Sequence, residues 1–185
     1  MARTEFSETR TPRPRQVHRD ERGYYFDPTA RTWTALEPPT ITWAPAPRDV
    51  AALLGVPVDE DVLVRDRLMG DPATRVPMQL ATSYLPASVA RGTRLAQRDT
   101  GPGGIYDRLE EGGHLLSWEE AVSARMPTPD EGARLRLPKG VPLLRIVRTA
   151  TRDGLTVEVN DTRMSADAFE VGYRITRHPS AQPKA

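Results

Sequence analysis

Two arginines stand two positions apart in an otherwise apolar stretch of the sequence. Arg65 and Arg67 lie within the run VLVRDRLM, which has the composition of a β-strand. Side chains two positions apart on a strand point to the same face, so the two guanidiniums repel each other unless acceptors satisfy them. Two interpretations stay open. The pair binds a phosphate or carboxylate of a ligand, or it belongs to a salt-bridge network that includes Glu158.

Three further residues have a chemistry that suits a bound small molecule. Gly104 and Tyr106 open a predicted helix, whose free backbone N–H groups suit an anion, and Tyr106 adds a hydroxyl and a ring. The alternative is a plain glycine-rich helix start with the tyrosine in the core. Glu158 stands between Val157 and Val159, and strand alternation predicts that it lies opposite both valines. There it either accepts hydrogen bonds from a ligand or faces water.

No motif in the sequence predicts catalysis, a metal or a cofactor. There is no Gly-x-Ser-x-Gly, no HExxH and no P-loop. The paired acids Glu110–Glu111 and Glu119–Glu120 are neighbours in sequence, so they do not face each other. The chain has no cysteine, and its three histidines are scattered. We therefore expect a protein that is not an enzyme and that has no cofactor.

The overall charge argues against a protein that binds nucleic acid by itself. The 185 residues include 26 Lys and Arg against 25 Asp and Glu, a formal net charge of +1, whereas DNA-binding domains are usually strongly basic. No apolar run approaches the roughly 20 residues that span a bilayer, and the N-terminus lacks the apolar segment of a secretory signal. Together with the absence of cysteine, these features predict a cytoplasmic protein with no membrane partner.

Patterning, caps and turn residues predict the elements that position these side chains. Asp153–Gly154 is a strong hairpin signal between two β-rich runs. The run 115–125 reads as a strand because a glycine pair precedes it, although Glu119, Glu120 and Ala121 favour a helix. We predict strands at 40–44, 62–69, 76–85, 115–125, 143–151, 155–164 and 169–175, and helices at 49–55, 87–91, 105–111 and 128–137.

Hairpins and short helices without βαβ alternation predict an α+β fold with an antiparallel sheet and flanking helices.

Residues 1–22 are polar and rich in arginine and proline, so we expect a disordered tail or a linker. The aromatic cluster that begins at Tyr24 marks the start of the packed domain, at 23–176. Residues 177–185 are predicted to be a disordered tail.

The order of several motifs resembles a known family. The segment ARMPTPDEGARLRLPKGVPLLRIVRTATRDGLTVEVNDTRM, the upstream VLVRDRLM and ATSYLP, and GGIYDRLEE are similar in order and spacing to the UTRA domain of GntR-type transcription regulators, HutC subfamily. The resemblance covers about residues 24–175. It implies a chorismate-lyase-like α+β fold, usually dimeric through its sheet, that senses a small metabolite. The winged helix-turn-helix that normally precedes this domain has no counterpart in residues 1–22, which look like the interdomain linker.

The resemblance also implies a set of ligand-binding positions. Family members that sense sugar phosphates use an Arg-x-Arg strand, a Ser-x-Tyr helix start, a Glu before Tyr-Leu-Pro, and a late Glu and Tyr. Here Gly replaces the Ser, Ala81 and Thr82 occupy the stretch of the first Glu, and Met164 replaces the late Tyr, so a ligand less polar than a sugar phosphate is at least as plausible. The implied ligand-binding residues are Arg65, Arg67, Thr82, Gly104, Tyr106, Glu158 and Met164.

The sequence therefore predicts a homodimeric domain that binds a small-molecule effector and controls DNA binding allosterically. DNA would be contacted only through a winged helix-turn-helix outside this sequence. Two alternatives stay open. One is a stand-alone module that dimerises with full-length regulators and titrates them. The other is a lyase-like enzyme of the same fold, in which Arg65, Arg67 and Glu158 would hold an anionic substrate.

Overall fold

A computed structural model describes residues 11–14, 16–178 and 180, with the backbone alone for 11–14 and for Thr29. Half of the predicted N-terminal linker, residues 1–10 and 15, and the end of the predicted C-terminal tail therefore lie outside the described residues.

The N-terminal part of the described chain is built from short elements. They are β1 (Thr11–Pro14), β2 (His18–Asp20), β3 (Gly23–Tyr25), a 3₁₀ helix (Pro28–Thr32) and β4 (Thr34–Ala35). Strands β2 and β3 form an antiparallel hairpin. This hairpin spans the boundary predicted between residues 22 and 23, so β2, from the predicted linker, pairs with the first residues of the predicted domain.

A larger antiparallel sheet follows, with helices between its strands. Its elements are β5 (Thr40–Pro45), α1 (Arg48–Leu54), β6 (Asp61–Gly70), β7 (Pro77–Leu85), α2 (Ala87–Ala90), a 3₁₀ helix (Arg94–Ala96), α3 (Gly104–Leu109), β8 (Leu116–Arg125), α4 (Pro129–Arg134), β9 (Leu143–Arg152), β10 (Leu155–Ser165) and β11 (Phe169–Gly172). The seven-stranded sheet has the order β4–β6–β7–β10–β9–β8, and β5 also pairs with β6. Strand β11 pairs in parallel with β1 outside this sheet.

The α+β prediction and the antiparallel sheet are confirmed. The run 115–125, for which the sequence favoured a strand over a helix, forms strand β8. The predicted Asp153–Gly154 turn joins β9 to β10, and both turn residues have positive φ, 52° and 80°. This is the backbone that a two-residue hairpin of type I′ requires, and glycine adopts it without strain. The last strand ends at Gly172, three residues earlier than predicted.

A β-bulge in β10 changes the predicted position of Glu158. The register with β9 shifts between Thr156 and Glu158, so that Val157 is an extra residue. Val157 packs in one apolar cluster with Leu63, and Val159 packs in another with Val62. Glu158 therefore lies opposite Val159, as predicted, but the prediction that it lies opposite Val157 was wrong.

The sheet separates two layers of packing, which we call front and back. On the front face Leu63 and Ala150 pack with Ile105 and Leu109 of α3. On the back face Val62 and Val159 pack against α1, and Leu80 and Leu143 pack with Leu135 at the end of α4. Strand alternation places Arg67, Glu158 and Arg148 on the front face, and Asp66 and Arg163 on the back face.

A capped helix start and a buried carboxylate organise the back face. The Thr128 hydroxyl accepts a hydrogen bond from the Glu131 backbone at 3.3 Å, and Glu131 accepts one from the Thr128 backbone at 2.9 Å, which is a complete capping box. The same carboxylate accepts two hydrogen bonds from Arg125, at 2.6 and 2.7 Å, and one from Arg163 at 3.3 Å. The hydrogen bonds from Arg125 outweigh burial and lower the pKa of Glu131 from 4.5 to about 2.

We expect Glu131→Gln to lower the free energy of unfolding at pH 7 by roughly 3 kcal/mol, because the neutral amide loses the ionic part of these contacts. A carboxyl whose pKa is lowered by folding stabilises above its unfolded pKa and loses that effect as the pH falls. The stability difference between the native chain and the variant should therefore shrink between pH 4.5 and about 2. Urea unfolding followed by circular dichroism at several pH values measures it.

Glu111→Gln is the matched control, since this carboxylate is 62% exposed and, among the described residues, forms an ion pair with Arg108 alone, three positions away. It should change the stability by less than about 0.5 kcal/mol at every pH, as exposed ion pairs do. Equal losses for the two variants would contradict the role of Glu131.

Candidate functional site

A cavity of about 180 Å³ lies between the front face of the sheet, helix α3 and the N-terminal segment. We call it the main cavity. Strands β6, β7, β9 and β10 form its floor, α3 forms one wall, and the segment from β3 to the first 3₁₀ helix covers it. It is lined by Tyr24, Tyr25, Phe26, Asp27, Ala30, Trp33, Arg67, Met69, Gln79, Ala81, Ile105, Tyr106, Arg148, Glu158, Asn160 and Thr162.

A row of hydrogen bonds crosses the floor of the main cavity. Arg67 donates to the Ser83 hydroxyl at 2.8 Å, and the Asn160 amide donates to the same oxygen at 2.9 Å. Thr162 in turn donates to the Asn160 carbonyl oxygen at 2.8 Å. These contacts between strands fix the rotamers of the floor, so its polar atoms are held in place before any ligand arrives.

Two polar atoms that belong to residues of the main cavity have no hydrogen-bond partner among the described residues. They are Nε of Arg67, a donor, and Oε2 of Glu158, an acceptor, and both are shielded from solvent. A buried polar atom without a partner costs about 1–3 kcal/mol, so such atoms are rare unless they have a function. Both residues line the cavity, so a bound molecule that reached these two atoms would supply their missing partners.

Tyr106 and Arg148 form the polar end of the wall. Burial, and then the negative charge of Glu158, raise the pKa of Tyr106, which keeps its hydroxyl protonated. This hydroxyl accepts a hydrogen bond from Arg148 at 3.4 Å. Burial opposes the charge of Arg148, but Tyr106 and Glu120 outweigh it and raise the pKa of the guanidinium. Arg148 donates to Glu120 at 2.5 and 2.9 Å, so its charge is already balanced within the protein.

Aromatic rings from the N-terminal segment close the main cavity, and we call this group the aromatic lid. Tyr24 and Phe26 pack against Tyr106 and Trp118, with ring centroids 5.5–6.1 Å apart. The Phe26 centroid lies 3.2 Å from the central carbon of the Arg148 guanidinium, a cation–π contact. The lid thus covers a buried charge as well as an empty space.

Polar contacts attach the lid to α3. The Tyr24 hydroxyl donates to Glu110 at 2.5 Å, and Arg19 pairs with Asp107 at 2.9 Å. Gly23 and Gly103 form a backbone bridge so close that a Cβ on Gly23 would lie 2.4 Å from the Gly103 carbonyl oxygen. Only glycine permits this approach, so the lid and the start of α3 are held together.

The structure brings together three of the seven predicted ligand-binding residues. Arg67, Tyr106 and Glu158 line the main cavity. Arg65 shares their face of the sheet but points into the loop after α2, where its guanidinium donates to the carbonyls of Leu95, Gln97 and Arg98 at 2.7, 2.5 and 3.1 Å. Burial, and then the charge of Arg67, lower the pKa of Arg65 to about 10. Backbone oxygens therefore accept hydrogen bonds from both terminal nitrogens of Arg65, whereas its buried Nε has no hydrogen-bond partner among the described residues.

The other three predicted positions do not line the main cavity. Thr82 lies on the back face, where its hydroxyl donates to Asp66 at 2.6 Å and accepts a hydrogen bond from Arg163. Its neighbour Ala81 faces the cavity instead, because adjacent strand residues point to opposite faces. Gly104 begins α3 without reaching the cavity. Met164 is fully buried in an apolar cluster.

Sequence reasoning missed much of the lining. Tyr24, Phe26 and Trp33 were recognised only as the start of a packed domain, and Arg148 was not singled out. A signal for Arg148 exists in the sequence, since Ile146, Arg148 and Ala150 alternate on one face of β9. The sequence indicates that Glu120 does not face its neighbour Glu119, but it gives no sign that Glu120 lies beside Arg148 on the neighbouring strand and neutralises it.

Within the described part of the chain, no group of three or more His, Asp and Glu residues could hold a metal ion. None of the helices found there is long and apolar enough to cross a bilayer.

Several solved structures share this fold. A structure described as a GntR-family transcriptional regulator superposes with a TM-score of 0.77 at 23% identity, covering 92% of this chain and 71% of that chain. The PhnF C-terminal domain superposes with a TM-score of 0.63 at 27% identity, covering 78% of this chain and 88% of that chain. The effector domain of PhnF from Mycobacterium smegmatis superposes with a TM-score of 0.63 at 21% identity, covering 80% of this chain and 91% of that chain. Fold and cavity thus define a regulatory, effector-binding domain of the kind found at the C-terminus of GntR-family regulators.

The family assignment follows from the sequence itself. The profile of the UTRA domain matches residues 40–170, well over half of the chain. The chain belongs to the UTRA domain family, as the resemblance predicted, whereas the HutC subfamily stays a prediction. A comparison with curated proteins finds no match.

The contacts of Arg65 generate a stability prediction. We expect Arg65→Gln to lower the free energy of unfolding by about 3 kcal/mol, because three backbone carbonyls lose their shared cationic donor. Arg67→Gln is the control, since it removes one hydrogen bond to Ser83 and should change the stability by no more than about 1 kcal/mol. Urea unfolding of both variants measures the difference. Similar losses would contradict the separate roles of the two arginines.

Proposed function

We propose that this chain is the sensor domain of a GntR-type transcription regulator and that it binds a small polar metabolite reversibly in the main cavity. The observation that carries the proposal is the pair of unpartnered polar atoms, Arg67 Nε and Glu158 Oε2, in one covered cavity. Polar atoms held in a concave, largely preformed pocket are the usual mark of a ligand site.

The chemistry of the cavity narrows the class of effector. A carboxylate, phosphate or carbonyl oxygen would accept a hydrogen bond from Arg67, and an amine or hydroxyl would donate one to Glu158. Between these groups, Phe26 and Tyr106 offer ring surfaces to a planar or apolar body. Because Arg65 and Arg148 already have acceptors, the cavity offers less positive charge than a doubly charged phosphate needs. An amino acid derivative or another compact zwitterion fits better than a sugar phosphate. The volume of about 180 Å³ also favours a molecule smaller than a typical drug.

The regulatory step follows from the placement of the lid. Strand β3 and the following 3₁₀ helix line the cavity, and they come directly after the hairpin strand β2. An effector that favours one position of this segment changes the placement of whatever precedes it in a full regulator. In such a regulator a winged helix-turn-helix would contact the DNA, and effector and operator would influence each other's affinity reciprocally. We place this regulator in the cytoplasm.

We also propose a homodimer. The resemblance implies association through the sheet, and β8 supports it because this ten-residue strand is the outermost strand at one side of the main sheet. A strand at a sheet edge has backbone groups that another chain can pair with.

A catalytic role is not part of the proposal, since the cavity offers no nucleophile paired with a base.

A metabolite screen by thermal shift tests the proposal. An effector at 100 times its Kd should stabilise the chain by about 2.7 kcal/mol, and amino acid derivatives should be among the compounds that do so. Arg67→Gln and Glu158→Gln should each weaken the binding of such a compound by tenfold or more, because each removes a charge-assisted hydrogen bond. Isothermal titration calorimetry measures the loss.

Two control variants also remove a single polar group, but one that lies outside the main cavity. Glu119→Gln removes an exposed carboxylate of β8, and Thr82→Val removes a hydroxyl of the back face. Binding should stay within about twofold of the native chain in both, once unfolding at the working temperature is excluded. If the Arg67 and Glu158 variants bind the effector as tightly as these controls do, the main cavity is not the effector site.

A further inference from the structure

A second cavity, of about 240 Å³, lies at the C-terminal end of α3, beside the end of β9. We call it the outer cleft. It is bounded by α2, by the 3₁₀ helix Arg94–Ala96, by the end of α3 and by the end of β9, and it shares no lining residue with the main cavity. It is lined by Ser88, Val89, Thr93, Arg94, Leu95, Arg108, Leu109, Glu111 and Arg152.

The outer cleft combines apolar and cationic side chains. Leu95 and Leu109 are buried members of the front core, and Val89 packs against them, so they give the cleft an apolar floor. Three arginines from three different elements contribute guanidiniums, whereas the carboxylates among the lining residues amount to one, Glu111. The local charge is therefore strongly positive in a protein whose formal net charge is only +1.

Two of these arginines are positioned by backbone oxygens. Arg152 donates to the carbonyl of Leu109 at 3.0 Å, at the end of α3, and Arg108 donates to the carbonyl of Thr100 at 3.3 Å. Arg108 also pairs with Glu111 at 2.8 Å, but Glu111 is 62% exposed, so water competes for this contact. A guanidinium has five N–H donors, and most of those on Arg108 and Arg152 stay available to a ligand.

Arg94 is the most informative residue of the outer cleft. No hydrogen bond or ion pair joins its guanidinium to any of the described residues, and Arg94 is exposed, so water solvates part of the side chain. It folds over Gly101, where a Cβ would come within 2.8 Å of a terminal nitrogen of Arg94. Because Arg94 lines the same cleft as Arg108 and Arg152, an oxyanion bound there would replace water at Arg94 and accept charge-assisted hydrogen bonds from more than one guanidinium.

We propose that the outer cleft is a second small-molecule site, for an amphiphilic oxyanion: a carboxylate or phosphate monoester with a short apolar body. The oxyanion contacts Arg94, Arg108 and Arg152, whose planar guanidiniums match its oxygens. The apolar body lies on Leu95 and Leu109. The inference does not depend on the main cavity, because different residues carry each site.

Phenyl phosphate is a suitable probe, with inorganic phosphate and phenol as its two halves. Calorimetric titration of the full 185-residue chain should show that phenyl phosphate binds at least tenfold tighter than either half. Arg94→Gln should weaken its binding about tenfold or more. Arg98→Gln is the matched control, since this exposed arginine lies on the same loop but does not line the cleft, and its variant should bind within about twofold of the native chain.

Arg67→Gln separates the outer cleft from the main cavity. The probe should bind this variant as tightly as it binds the native chain. A loss of binding in Arg67→Gln together with retention in Arg94→Gln would place the probe in the main cavity and overturn the proposal. Equal losses in Arg94→Gln and Arg98→Gln would show a general charge effect and would also overturn it, as would the absence of binding at millimolar probe.

Discussion

The placement of three guanidiniums on one face of a β-sheet, two of them buried and one half-buried, is the constraint on which the rest of this structure depends. Arg65, Arg67 and Arg148 all lie on the front face, where the sheet packs against α3 and the N-terminal segment. A buried cation is tolerated only when acceptors replace the water that it loses. The protein provides these acceptors in two different ways and leaves the third arginine incompletely satisfied.

The acceptors of the three arginines explain how the segments around them are positioned. Arg65 takes three backbone carbonyls, which fixes the loop after α2 beside the sheet. Arg148 takes the carboxylate of Glu120 from the neighbouring strand and is covered by the ring of Phe26. Among the described residues Arg67 has one acceptor, the Ser83 hydroxyl, and its Nε, like that of Arg65, has no hydrogen-bond partner. A site for a ligand is thus the place where the internal compensation of charge is unfinished.

The sequence predicts the architecture better than it predicts the site. Strands, short helices and the Asp153–Gly154 turn follow from local signals, and local signals determine local backbone. The positions of Thr82 and Glu158 depend on register and on the bulge at Val157, which no single stretch of sequence reveals. The lid was missed for a similar reason. Its aromatic residues precede the family match at residue 40, and only tertiary contacts bring them over the cavity.

The attachment of the aromatic lid has a consequence for the kinetics of recognition. Phe26 lies on Arg148 and Tyr24 is bound to Glu110, so a molecule that has to displace this segment in order to enter the main cavity must first break both contacts. When binding waits for such an opening, the association rate constant falls below the usual 10⁵–10⁷ M⁻¹s⁻¹. Dissociation is slowed by the same barrier. If this domain senses a metabolite as proposed, such a barrier would make it respond to a sustained concentration of that metabolite more than to a brief change.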